Sequence, residues 1–198
     1  MNNDEIEVLI VYDSKNGATE KLAEIVCLGV ESVPGVYARL RKVFDINKDK
    51  NSRQDIDNST LIVEKKDLIE CNALIMGSPT RFGNMSASMK YFIDQTLDTW
   101  ISGHLIDKPA GVFTSTGSLH GGQETTLISM MFPLIHHGMI MVGIPYSEND
   151  LNTTSTGGTP YGASHVAGSN GSNKISIEES KLAKALGKRI ATIAKKIT

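Results

Sequence analysis

The 198 residues carry 20 Lys+Arg against 22 Asp+Glu, a net charge of −2, with 40% apolar and 21% charged residues. This composition fits one folded domain and lacks the positive excess that would draw nucleic acid or an anionic membrane. Cys27 and Cys71 stand in apolar-periodic segments without C-x-x-C spacing, and no His/Cys or acidic cluster has metal-ligand spacing. Reduced, mostly buried thiols, no metal and an intracellular, cytoplasmic chain are therefore expected.

The polar, acidic start MNNDEIEVLI is unlike the basic region of a signal peptide, and no apolar run approaches the roughly 20 residues of a membrane span. Residues 8–12 (VLIVY) read as a strand buried on both faces of a parallel sheet. Ser14, Lys15, Asn16, Gly17 and Thr19 follow in a polar loop, and a helix starts at Ala18. Its first N–H groups lack internal partners, so hydroxyls and amides together could cradle a phosphate. An ordinary N-capped helix would use the same residue types.

The helix runs over 18–33, with Leu22, Ile25, Val26 and Val30 at helical spacing, until Pro34-Gly35 breaks it. A second strand, 36–43, carries Arg39, Arg41 and Lys42 and reads as a sheet edge with solvated charges. Segment 47–60 has one apolar residue in fourteen and reads as a surface loop. A short helix over 65–70 leads to a third strand, 73–76, ended by Gly77-Ser78-Pro79 and a second polar loop, 80–85.

Residues 86–97 read as a helix with Met89, Phe92, Ile93 and Thr96 on one face, and Trp100 falls in the following connection. A fourth strand, 110–114, precedes the loop STGSLHGG at 115–122. A helix over 124–137 contains Pro133, expected to kink or divide it. Strand five is 139–142. Residues 143–176 show no sustained period and are long for a loop inside a compact domain. The chain closes on an amphipathic helix, 177–197, with Leu182, Leu186, Ile190, Ile193 and Ile197 on one stripe.

This alternation predicts a single α/β domain over 1–198: a doubly wound, five-stranded parallel sheet in the order 2-1-3-4-5, with helices on both faces. Three glycine- or hydroxyl-rich loops follow strands one, three and four, so all open at one rim, which favours the phosphate reading of the first loop. No G-x-x-x-x-G-K-[ST] occurs, and neither G-x-G-x-x-G after strand one nor an acidic residue ending strand two is present.

Residues 14–20 (SKNGATE) resemble the phosphate loop of flavodoxins. Further along, GSPTRFGN (77–84), VFTSTG (112–117), GGQET (121–125), HHGM (136–139) and GGTPYGA (157–163) resemble, in order and spacing, the WrbA-type quinone reductases. The resemblance implies a flavodoxin-like fold, FMN as a tight noncovalent cofactor, NADH or NADPH as co-substrate, and two-electron reduction of quinones by a ping-pong hydride transfer through flavin N5. Ser14, Lys15, Asn16, Gly17, Ala18 and Thr19 would hold the FMN phosphate. Pro79, Thr80, Arg81, Phe82 and Gly83 would wrap one edge of the ring, and Ser115, Thr116, Gly117 and Gly121 would line the ribityl chain and the other edge.

N–H groups near Gly121-Gly122 would meet negative charge on the ring. His136 would reach over the flavin from a neighbouring subunit as the proton donor, with His137 and His120 as further histidine candidates, and Trp100 would wall the substrate pocket. The family's tetramers (dimers of dimers) would use the 143–176 insertion at their contacts. Asn16 departs from the aromatic often found at its position, which bears on the choice between NADH and NADPH. A flavodoxin-type electron carrier and an FMN-binding regulatory protein, as the family's original repressor-binding name implies, remain alternatives.

Overall fold

A computed structural model describes residues 5–46 and 60–198; apart from Thr60, the expected surface loop over 47–60 lies outside them. The chain runs β1 (Ile6–Tyr12), α1 (Ala18–Glu31), β2 (Val36–Lys42), α2 (Lys65–Glu70), β3 (Ala73–Pro79), α3 (Ala87–Asp94) and α4 (Leu97–Ile101). It continues through β4 (Pro109–Thr116), α5 (Gln123–His136), β5 (Ile140–Met141), α6 (Asp150–Thr153), β6 (Ala163–Val166) and α7 (Ile177–Ile197). All strand pairs are parallel, in the order β2-β1-β3-β4-β5. The flavodoxin-like architecture expected from the sequence is thus the one observed.

The apolar run of β1 is divided between two cores, because successive side chains on a strand face opposite ways. Val8, Ile10 and Tyr12 pack with Leu22, Val26, Leu182, Leu186 and Ile190 of α1 and α7. Leu9 and Val11 pack with Met89, Leu127, Met130 and Leu134 of α3 and α5. β3 repeats the pattern, Ala73 and Ile75 on one side and Leu74 and Met76 on the other. Such burial on both faces is what keeps the strand C-termini in one plane and points their loops at one rim.

Several local expectations are corrected. The fifth strand position is split: β5 borders Pro109 and Ala110 of β4, and β6, from within the long glycine-bearing segment, borders Phe113–Thr116. The sheet therefore has six strands. Ala163, Ser164 and His165 are buried, so part of the supposed loop is core. β3 runs on through Gly77, Ser78 and Pro79, and β4 includes Ser115 and Thr116, because their partners across the pair continue in register.

α5 is one continuous helix despite Pro133. The proline stands near its C-terminal end, where one donor is lost and its own carbonyl still accepts from His137 N–H at 3.0 Å. The helix expected over 86–97 ends at Asp94, and Trp100 lies in α4 rather than in a connecting loop. Arg39 and Arg41 are not simply solvated. Arg39 pairs with Glu7 (2.6 Å), Asp67 (3.0 Å) and Glu70 (3.1 Å), and Arg41 with Asp67 (3.2 Å). Cys27 and Cys71 are unpaired, and burial pushes their thiols up to about 12 and about 11. Among the described residues no helix is long and apolar enough to cross a membrane, and no metal-binding cluster occurs.

Candidate functional site

The first loop is anchored at both ends. Asp13 N–H donates to Gly77 O (2.9 Å), and the Tyr12 hydroxyl donates to Glu20 Oε1 (2.6 Å) in the first turn of α1. The N-cap is Gly17 at φ 81°, a left-handed conformation open to glycine, and it brings no capping side chain. Ser14 Oγ accepts only the N–H of Glu20, at 3.3 Å. Ser14 thus caps the third N–H of α1, while those of Ala18 and Thr19 have no partner within the helix.

The second loop leaves Pro79 with Thr80 N–H donating to Ser115 O (3.0 Å). Thr80 Oγ1 accepts from Thr126 Oγ1 of α5 (3.1 Å), and Thr114 Oγ1 donates to Ser78 O (2.7 Å). These hydroxyls fix the loop against both neighbours. Arg81 and Asn84 exchange N–H···O bonds of 2.8 and 3.0 Å. The turn between them carries Phe82 at φ 53°, its ring fully exposed. A left-handed aromatic held out into solvent is strained and gains nothing from burial.

In the third loop, Thr116 Oγ1 donates to Ser118 O (2.9 Å) and Gln123 Nε2 to Leu119 O (2.7 Å). A Cβ added to Gly122 would lie 2.9 Å from Gly83 Cα, so the second and third loops meet backbone to backbone. The Gly121 N–H, expected to face a ligand's charge, instead donates to Ser118 O at 3.1 Å, the tight turn claiming it.

Together the loops enclose a cleft of about 160 Å³. It brings Ser14, Lys15, Asn16, Ala18 and Thr19 of the first loop to Pro79, Thr80 and Arg81 of the second and Ser115, Thr116 and Gly117 of the third. At Lys15 and Arg81 it opens into a wider groove of about 1110 Å³ between α3 and α5, lined by Phe82, Gly83, Met85, Ile128 and Phe132 among others. Lys15 and Arg81 share that opening with the carboxylates of Asp13 and Asp45, so the neck is polar and of mixed charge and leads to a groove with largely apolar walls. Gly17 and Gly121 line neither space.

His136 and Trp100 lie elsewhere. α5 starts at the rim and runs back beneath it, so its last residue, His136, is roughly 20 Å from its first. Trp100 Nε1 donates to His136 O (2.7 Å), and the two border a second groove that adjoins the wider one, sharing Lys90, Phe132 and Pro133 with it. His137 is buried with Nε2 2.8 Å from Thr96 Oγ1. Burial, then the neighbouring His136 charge, pushes its pKa down, and its Nδ1 is buried without a hydrogen-bond partner among the described residues. His120 sits exposed in the third loop.

Reasoning from the sequence missed a fourth wall: Ala167, Gly168, Ser169 and Gly171, from the segment read as an interface insertion, also line the cleft. The run Gly168-Ser169-Asn170-Gly171 has the same small, flexible composition as Ser14–Gly17, the one signal that could have found it.

A family model described as NADPH-dependent FMN reductase matches residues 6–149. A WrbA-like flavodoxin from Agrobacterium tumefaciens is 24% identical, with a TM-score of 0.72 over 98% of this chain and 100% of that one. An archaeal flavodoxin is 22% identical, with a TM-score of 0.65 over 96% and 99% of the two chains. Flavodoxin 1 of Bacillus cereus is 14% identical, with a TM-score of 0.57 over 94% and 97%. At these identities the structural likeness establishes a shared fold.

Proposed function

We infer the function from one premise: the chain belongs to the NADPH-dependent FMN reductase family, whose model covers most of its length. On that premise it is an FMN-dependent oxidoreductase, and we propose that it reduces quinones by two electrons at the expense of NADPH or NADH, in the cytoplasm. The observation that carries the cofactor site is the convergence of three rim loops on one cleft with hydroxyls, helix N–H groups and two cations at its neck.

The residues fit FMN. A terminal phosphate suits the Ala18 and Thr19 N–H groups and the hydroxyls of Ser14 and Thr19, where the α1 dipole favours negative charge. Ser115, Thr116 and Thr80 offer hydroxyls for a polyol chain, and the apolar groove beside Phe82 suits a planar ring. When bound, FMN would supply the two-electron redox chemistry, with the nicotinamide as hydride donor and the quinone as acceptor in a ping-pong exchange.

The protein's part is positional. Lys15 and Arg81 hold positive charge at the neck, the Thr80–Thr114–Thr126 hydroxyls fix the second loop, and Phe82 presents an apolar face where ring and substrate meet. His136 and Trp100 line neither the cleft nor the groove beside Phe82, only the groove adjoining it, so we assign them to a neighbour's site in a homotetramer. There His136 would protonate the quinone and Trp100 would wall the pocket, with the 143–176 insertion completing the contacts. Asn16 places no aromatic beside the nicotinamide, which leaves its selection to Arg81 and Lys15.

The test is to load the purified chain with FMN and follow NADPH and NADH oxidation with and without benzoquinone. Quinone-dependent oxidation is expected. Reduction of the bound flavin only through a separate reductase would make the chain an electron carrier, a role its net charge of −2 does not favour. Retention of FMN with neither activity would leave the regulatory reading standing, and no retention of FMN would sink the proposal.

A further inference from the structure

We propose that segment 168–171 is a fourth cofactor loop, with Ser169 binding the phosphate end of the flavin, and that the buried Glu179–His165 pair is its positioning element. This rests on reading the cleft as an FMN site.

β6 runs parallel to the C-terminal half of β4, Phe113↔Ala163 through Thr116↔Val166, so the chain leaves the sheet at the same rim as the other loops. Ala167 N–H donates to Thr116 O (2.8 Å), continuing the ladder one residue past the strand. The segment then crosses the cleft. A Cβ on Gly117 would stand 3.8 Å from Gly168 O, and one on Gly171 would stand 3.7 Å from Asn16 Cβ. It thereby spans from the third loop to the phosphate loop, with Ser169 between its two ends and on the cleft wall. Ser169 is otherwise exposed, and a hydroxyl there can donate to a phosphate oxygen.

The chain on either side of the segment is held by one carboxylate. Glu179, 1% exposed, accepts from Gly157 N–H (2.8 Å) and Val166 N–H (2.9 Å) through Oε1. Through Oε2 it accepts from Ser176 N–H (2.8 Å) and lies 2.8 Å from His165 Nδ1. A buried carboxylate is tolerated only when its lone pairs are filled, and here four groups fill them. Inside that frame, Asn173 closes the turn, its N–H to Ala167 O (2.9 Å) and Nδ2 to Val166 O (3.1 Å). Fixing the residues on either side of a glycine-rich turn presents Ser169 in one place without a packed side chain of its own.

The experiment compares dissociation constants for FMN and riboflavin, which differ by the phosphate alone, in the wild-type chain, Ser169→Ala and Glu179→Gln. Ser169→Ala is expected to weaken FMN by about tenfold while riboflavin is unchanged, the scale of a lost hydrogen bond to a charged group. Glu179→Gln is expected to shrink the FMN-to-riboflavin ratio as well; a merely structural role would lower the melting temperature and weaken both ligands alike. Equal affinities in wild type and Ser169→Ala, or parallel weakening of both ligands, overturns the loop assignment while the FMN reading stands. An unchanged ratio in Glu179→Gln overturns the positioning role. A wild-type chain that holds riboflavin as tightly as FMN overturns this proposal and the phosphate site together.

Discussion

Glu179 shows how much one side chain can decide. Burial pulls its carboxyl up, but the His165 hydrogen bond and the N–H groups of Ser176, Val166 and Gly157 outweigh it and bring the pKa from 4.5 down to about 2. A lowered folded-state pKa adds stability above the unfolded value, which drains away as pH falls through the folded one. The contribution, on the order of 3 kcal/mol, is therefore full above about pH 5 and is lost progressively toward pH 2. Urea midpoints at pH 6 and pH 3 should fall further in the wild-type chain than in Glu179→Gln. Equal falls would refute the assignment. The Ser176-x-x-Glu179 capping box is visible in the sequence, but the partners Gly157, His165 and Val166 lie 13 to 22 residues away and are joined only by the fold. At the first loop, by contrast, every residue that meets the cleft is within six of Ser14, so local reading sufficed.

At the scale of elements, the pairing of α1 with α7 depends on two glycines. A Cβ at Gly29 would lie 2.2 Å from Lys184 O, and one at Gly187 would lie 2.3 Å from Val26 O, so the helices touch backbone to backbone. The stripe of Leu182, Leu186 and Ile190 is legible from periodicity alone; the close approach is not, because a glycine inside a helix reads as a weak former until its neighbour is known. Gly187→Val should cost about 2–4 kcal/mol through forced separation, lowering the melting temperature by roughly 5–15 °C. FMN affinity measured well below the transition should change little, since Gly187 lies about two turns beyond Glu179 in α7 and meets Val26, about two turns from the start of α1. A melt equal to wild type would show that the helices tolerate separation. The split of the fifth strand belongs here too: two residues of β5 and four of β6 are too short to carry a period, and only pairing to β4 makes them strands.

At the scale of the whole molecule, the outer face of α4 and the C-terminal half of α5 exposes Leu97, Trp100, Ile101, Phe132 and Ile135, each more than half accessible. That many large apolar side chains on one face exceed what scattered surface residues explain, and three of them, Leu97, Trp100 and Phe132, line the groove of His136. The tetramer proposed above covers them. Sedimentation should give four chains, and Ile101→Lys with Ile135→Lys should give a smaller species that keeps FMN but loses most quinone turnover. A fully active monomer would remove both the tetramer and the shared-site role of His136.

The order of the main elements, the parallel sheet and the three rim loops were determined by the sequence, because each rests on residues close along the chain: apolar runs, helical spacing, breakers and caps. Tertiary structure alone decided what depends on contacts between distant segments. It returned part of the long insertion to the sheet as β6, made its tip a wall of the cleft, paired Arg39 with Glu7, Asp67 and Glu70, and set His136 and Trp100 on a groove beside the cleft rather than within it. Periodicity says which way a side chain faces its own element. Which other element comes to meet it is set by packing the whole chain at once.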